Sequence, residues 1–174
     1  MHSTRANCFN GCIHDRIKSH SMNLITQDTY YTTDYKYRTS ESIAVLLPLL
    51  PEKELCSDAK MITLLREGLL FISAGYSSDG PSGPTIDTKS FMLAAFIHDA
   101  LYELLRQGWF EVIRCVDEDG KLLTRKDIRM IADRVLKAVC LEKKMLPIRA
   151  DWVYAGVRKG GVESATIKRK IFRA

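Results

Sequence analysis

Between residues 43 and 76 the apolar positions gather in short runs, IAVLLPLL, MITLL and LLFISAGY, separated by polar and turn-forming residues. Runs this short and partly β-branched, the last two joined by Arg66-Glu67-Gly68, predict a small antiparallel sheet. Upstream, Tyr30, Tyr31, Tyr35 and Tyr37 alternate with polar residues, a pattern that fits an edge strand better than an aromatic binding platform. Residues 77–90, SSDGPSGPTIDTKS, contain two Gly, two Pro and four Ser, a density that predicts a loop.

The period then lengthens. Phe91, Ala95, His98, Tyr102 and Leu105 recur at spacings of 4, 3, 4 and 3, which is one stripe of a helix that Gly108 would stop. Asp117-Glu118-Asp119-Gly120 reads as a turn, and Thr124 followed by Asp127 is a capping-box signature. Ile128, Ile131, Ala132, Val135, Leu136 and Val139 form the apolar face of a second long helix, with Lys143-Lys144 in its last turn and Pro147 closing it. Residues 148–157, with Trp152 and Tyr154, predict a shorter helix.

These elements give an α+β fold: a small N-terminal antiparallel sheet, a Gly/Pro-rich loop, two long packed helices and a short C-terminal helix. Residues 1–21 lack apolar periodicity and read as a disordered extension, residues 22–167 as a single globular domain, and residues 168–174 as a basic tail. A chain of 174 residues, 46% hydrophobic, buries a core without disulfide staples. Its five cysteines are odd in number and lack C-x-x-C spacing, which predicts free thiols in a reducing compartment. No stretch approaches the ~20 apolar residues that span a bilayer, and the N-terminus does not resemble a secretory signal. The net charge of +5 is compatible with lipid headgroups or nucleic acid without selecting either.

Candidate chemistry centres on the Gly-rich loop and His98-Asp99-Ala100-Leu101-Tyr102. A histidine takes a proton from water near neutral pH, and does so best when a carboxylate fixes its tautomer. Asp99 is one residue on, about 100° round the helix, so it is expected to aim at a different ligand. With backbone carbonyls from Gly80, Ser82 and Gly83 it would form an oxygen-only set that favours Ca2+, an ion able to stabilise the oxyanion of an ester under attack by water. Asp133, at the border of the second helix's apolar stripe, is the best candidate to orient His98, with Asp79 and Asp87 as substitutes.

Elsewhere the signals are weaker. Cys8, Cys12, His14 and His20 offer zinc-ligand types at a spacing that fits no defensible loop, against an unstructured extension. The acidic residues 117–120 lack the remaining positions of an EF-hand. KRKIFR, at residues 168–173, has no recognition motif or aromatic platform, so a solvated tail is expected and no specific nucleic-acid partner.

The stretch GYSSDGPSGPTIDTKSFMLAAFIHDALY, followed by IADRVLKAVC, resembles the phospholipase A2 superfamily, whose calcium loop precedes a helix bearing H-D-x-x-Y. That resemblance implies His98 as general base, Asp99 as Ca2+ ligand, Asp133 as its orienting carboxylate and Tyr102 as hydrogen-bond support, acting on lipid. The chain departs from the secreted members: Ala94, Ala95 and Leu101 stand near the positions of their helix-joining cysteines. A broader resemblance, over about the last 100 residues, is to a family of small phage and prophage proteins of uncharacterised function. It rests on the ordered series G-Y-x-x-D-G-x-S-x-P, H-D-x-L-Y, A-D and Y-x-G-V-R, filled here by Asp79, Ser82, Pro84, His98, Asp99, Leu101, Tyr102, Ala132, Asp133, Tyr154, Gly156, Val157 and Arg158. It implies a viral origin, a place in the host cytoplasm or the virion, and virion proteins as alternative partners. The competing expectation is a non-catalytic virion or accessory protein in which His98, Asp99 and Asp133 form a structural polar network. Arg129 and Arg106 are expected to pair with Asp99 or Glu103.

Overall fold

A computed structural model of the chain describes residues 31–32, 37–78 and 89–166. Among the described residues the expected antiparallel region is present as three small sheets. Strands β1 (Tyr31–Thr32), β2 (Tyr37–Thr39) and β8 (Ser77–Ser78) form the first in the order β1-β2-β8, with Tyr37 opposite Ser78. The second holds β3 (Ile43–Leu46), β7 (Leu69–Ile72), β6 (Ile62–Leu64) and β5 (Leu55–Cys56) in that order, every pair antiparallel. Alternation puts Ile43, Val45, Ile62, Leu64, Leu70 and Ile72 on its buried face.

The run IAVLLPLL is not one strand. Pro48 has no N–H to give a ladder, and the chain bends there. It resumes as β4 (Leu50–Pro51), which pairs with β9 (Cys115–Val116), a strand the pattern does not announce. The connection at Arg66-Glu67-Gly68 is the expected hairpin, with Gly68 at φ +83°. A Cβ there would sit 2.6 Å from the Leu47 carbonyl oxygen, so only glycine fits without displacement.

Among the described residues there are four helices: α1 (Lys89–Arg106), α2 (Trp109–Val112), α3 (Arg125–Glu142) and α4 (Pro147–Ser164). The single stripe expected of α1 understates it. From Phe91 to Leu105 every residue except Asp99 and Glu103 is buried, the signature of a helix enclosed on nearly all sides. Its side chains share one core with the inward face of the β3-β7-β6-β5 sheet and with α3, which packs on both α1 and α4.

Helix α3 starts as expected. Thr124 N donates to Asp127 Oδ2 at 2.9 Å and Asp127 N donates to Thr124 Oγ1 at 3.3 Å, closing the capping box. Its end differs: Lys143 is the C-cap and Lys144 is left-handed at φ 63°, so both lie just past the last turn. Pro147 does not merely close α3. It opens α4, where a missing N–H is harmless. That helix runs 18 residues, through Gly160 and Gly161, because its packing against α3 outweighs their poor helix propensity.

Candidate functional site

His98 and Tyr102 lie one turn apart on α1, so both side chains project toward the same stretch of α3. There Asp133, fully buried, receives three different donors. His98 Nε2 stands 3.0 Å from its Oδ1, and the Tyr102 hydroxyl donates to the same oxygen at 2.7 Å. Arg158, reaching in from α4, donates through Nη1 to Oδ2 at 2.6 Å. Asp133 thus lies inside the α1–α3 interface rather than at the border of the apolar stripe.

A second cation completes the cluster. Arg129, one turn before Asp133, donates from Nε to the Tyr102 hydroxyl oxygen at 3.2 Å and from Nη2 to the Arg158 carbonyl at 2.7 Å. Its Nε is 3.9 Å from Asp133 Oδ2. Arg129 therefore serves Tyr102, Arg158 and Asp133, where the sequence had suggested Asp99 or Glu103. The His98 and Tyr102 rings stack at a tilt, with centroids 4.1 Å apart. Gly161 lets α4 come this close, since a Cβ there would overlap the Tyr102 hydroxyl.

On the other edge of the imidazole, Asp99 Oδ1 lies 3.5 Å from His98 Nδ1, and Asp99 Oδ2 is hydrogen-bonded by Ser78 Oγ. The expectation that helical divergence would turn Asp99 wholly elsewhere is corrected. Its side chain, 31% exposed, reaches back to the ring while keeping a solvent-facing side. The imidazole is thereby flanked by two carboxylates.

That arrangement fixes the titration directions. Burial disfavours the imidazolium, but hydrogen bonds and charge from Asp133 and Asp99 outweigh it and raise the His98 pKa above its ordinary value. Burial likewise disfavours ionised Asp133, yet donation from His98, Arg158 and Tyr102 holds its pKa below the ordinary carboxylate value. Burial is the main cause that pushes the Tyr102 phenol upward.

One turn further along α1 a separate polar line begins. Tyr76 donates to Glu103 Oε2 at 3.2 Å, Gln107 donates to Glu103 Oε1 at 3.0 Å, and Trp109 donates to Gln107 Oε1 at 3.0 Å. This line ties β8's approach and α2 to the same helix that carries His98.

Comparison with models of protein families, with curated proteins and with solved structures gives no match. The site is therefore read from its own chemistry.

His98, Tyr102 and Asp133 are brought together, and Asp99 joins them through Nδ1. Gly80, Ser82 and Gly83, with Asp79 and Asp87, lie outside the described residues, as do Cys8, Cys12, His14 and His20. Among the described residues no three of His, Cys, Asp and Glu gather into a metal cage. Asp99 keeps a partly exposed side, and carboxylate oxygen suits Ca2+ better than zinc, while Ser78, which hydrogen-bonds it, is buried. At the other acidic stretch, Asp117 Oδ1 accepts from Asp119 N and Lys121 N, so that carboxylate organises its turn. Sequence reasoning missed the roles of Arg158, Arg129, Ser78 and Gly161. Its available signal for Arg158 was the Y-x-G-V-R segment.

Proposed function

We propose that the chain is a phage-type hydrolase that cleaves a lipid ester with His98 as general base, Asp133 as its positioning carboxylate and Ca2+ as cofactor. The observation that carries this reading is the His98 Nε2–Asp133 Oδ1 pair, with Asp133 itself fixed by Tyr102 and Arg158. In the neutral tautomer that donates from Nε2 to Asp133, the lone pair is on Nδ1, the edge nearer the partly exposed Asp99.

The steps follow from that tautomer. His98 Nδ1 takes a proton from water as the water oxygen bonds to the ester carbonyl carbon, giving a tetrahedral oxyanion and an imidazolium stabilised by Asp133. The oxyanion collapses, the bond to the alkoxy oxygen breaks, and that oxygen takes the proton back from His98. Asp99, with carbonyls from Gly80, Ser82 and Gly83, would hold Ca2+, which when bound polarises the carbonyl and stabilises the oxyanion. The ordered series of motifs supports the phage-type assignment.

Fluorogenic phospholipid turnover, with calorimetric Ca2+ titration, tests the proposal. Saturable binding lost in Asp99→Ala and turnover lost in His98→Gln support it. A second reading, a non-catalytic virion or accessory protein, is favoured by one observation: His98 is 7% exposed and both oxygens of Asp133 are already engaged. Absence of turnover in the folded chain would select it.

A further inference from the structure

The N-terminal half of helix α4 carries apolar side chains on its outward face as well as its inward one. Ala150 and Val153 face the core, as a helix packed on α3 requires, yet the outward positions Ile148 and Trp152 are apolar too, 80% and 54% exposed. They sit four residues apart on one face, and Leu146, immediately before the helix, is 70% exposed beside them in sequence. Large apolar side chains clustered in solvent mark a surface that something covers.

The charges around this stripe say what the cover is. Lys143 and Lys144 lie at the corner between α3 and α4, and exposed Lys159 continues the outward face of α4 beyond Trp152. The acids nearby are Glu142 and Asp151, fewer than the lysines, and Lys137 already engages Asp151. A second copy related by a two-fold axis would set this cationic rim against itself. Protruding side chains with cations at both ends instead match an interface in which acyl chains receive the apolar groups and anionic headgroups receive the lysines.

We infer that the exposed face of α4, with Leu146, Ile148 and Trp152 flanked by Lys143, Lys144 and Lys159, docks on an anionic lipid surface. This deepens the lipid-ester reading by naming where the protein meets its substrate phase, and its test reads binding apart from turnover.

The full chain is co-sedimented with vesicles of equal parts phosphatidylglycerol and phosphatidylcholine, and with phosphatidylcholine alone, while tryptophan emission is recorded. Partition to the anionic vesicles with a blue shift that Trp152→Phe removes is expected. Ile148→Ser with Trp152→Ser lowers partition at least about tenfold. Lys144→Gln and Lys159→Gln each lower it about fivefold on the anionic vesicles alone. His98→Gln keeps partition, so loss of turnover with intact partition counts against the hydrolase reading only. A folded wild-type chain that stays in the supernatant, unaltered partition in the variants, or sedimentation showing that the face joins two copies would overturn the inference.

Discussion

Asp133 Oδ1 accepts from Tyr102 at 2.7 Å while lying 3.0 Å from His98 Nε2, and so binds two residues one turn apart on α1 to a single carboxylate oxygen on α3. Its other oxygen is held by Arg158 on α4. One buried carboxylate therefore joins three helices. Whatever else it does, removing it leaves a guanidinium and a histidine without their partner inside the fold.

Asp133→Ala is accordingly expected to destabilise the chain by about 3–5 kcal/mol, the usual cost of breaking a buried ion pair from one side. Arg158→Leu costs less, because its side chain is 28% exposed and leaves Asp133 with its other donors. Urea unfolding midpoints compare the two; equal, negligible losses would contradict the structure.

Stability also depends on pH, with opposite signs on the two sides. The raised pKa of His98 gives stabilisation that is complete below its unfolded value of about 6.5 and is lost as pH rises through the folded value. The depressed pKa of Asp133 gives stabilisation that is complete above its unfolded value, about 3.9, and is lost as pH falls through the folded one. These two groups place the maximum between roughly pH 4 and 6.5. Thermal midpoints across pH 3–9 check this, and in His98→Gln the decline on the alkaline side should flatten.

Gly161 and Tyr102 are coupled by contact. Gly161→Ala is expected to cost about 1–3 kcal/mol through overlap with the phenol. In a Tyr102→Phe background the overlapping hydroxyl is gone and most of that cost disappears. A double-mutant cycle that proves additive would show that α4 does not pass Tyr102 this closely.

The thiols sort by burial. Burial pushes Cys115 up to about 11 and Cys140 up to about 12, and both are enclosed in the core. Alkylation of the native chain at pH 8, mapped by mass spectrometry, is expected to leave both unmodified until denaturant is added. Rapid labelling of either would contradict their packing.

Much of this fold was legible because local and tertiary signals agreed. The Thr124–Asp127 box announced the start of α3, and the short apolar runs announced an antiparallel region. The helix-period stripe found α1 but not its near-complete enclosure, since Met92, Leu93, Ala94 and Phe96 lie off that stripe and are buried only because sheet and helix close around them. The length of α4 was hidden by its glycines, whose cost is met only by packing. At the site, helix periodicity placed His98 and Tyr102 on one stripe and named Asp133 as the candidate partner of His98, while the role of Tyr102 came from the resemblance. Arg158 was not placed at the site, because the expected last helix stopped at residue 157, whereas α4 runs on to Ser164 and carries Arg158 to Asp133. Asp99 was misdirected by an idealised 100° step that ignored the reach of its side chain.

The most direct test of the central claim is hydrolysis of a fluorogenic phospholipid in the presence of Ca2+, measured on wild type and His98→Gln across pH 5–9. The account predicts turnover in the wild type that rises with pH as the imidazole loses its proton, and a loss of at least about a hundredfold in a folded His98→Gln. A folded wild type without turnover, or equal turnover in the two proteins, would contradict His98 as the base.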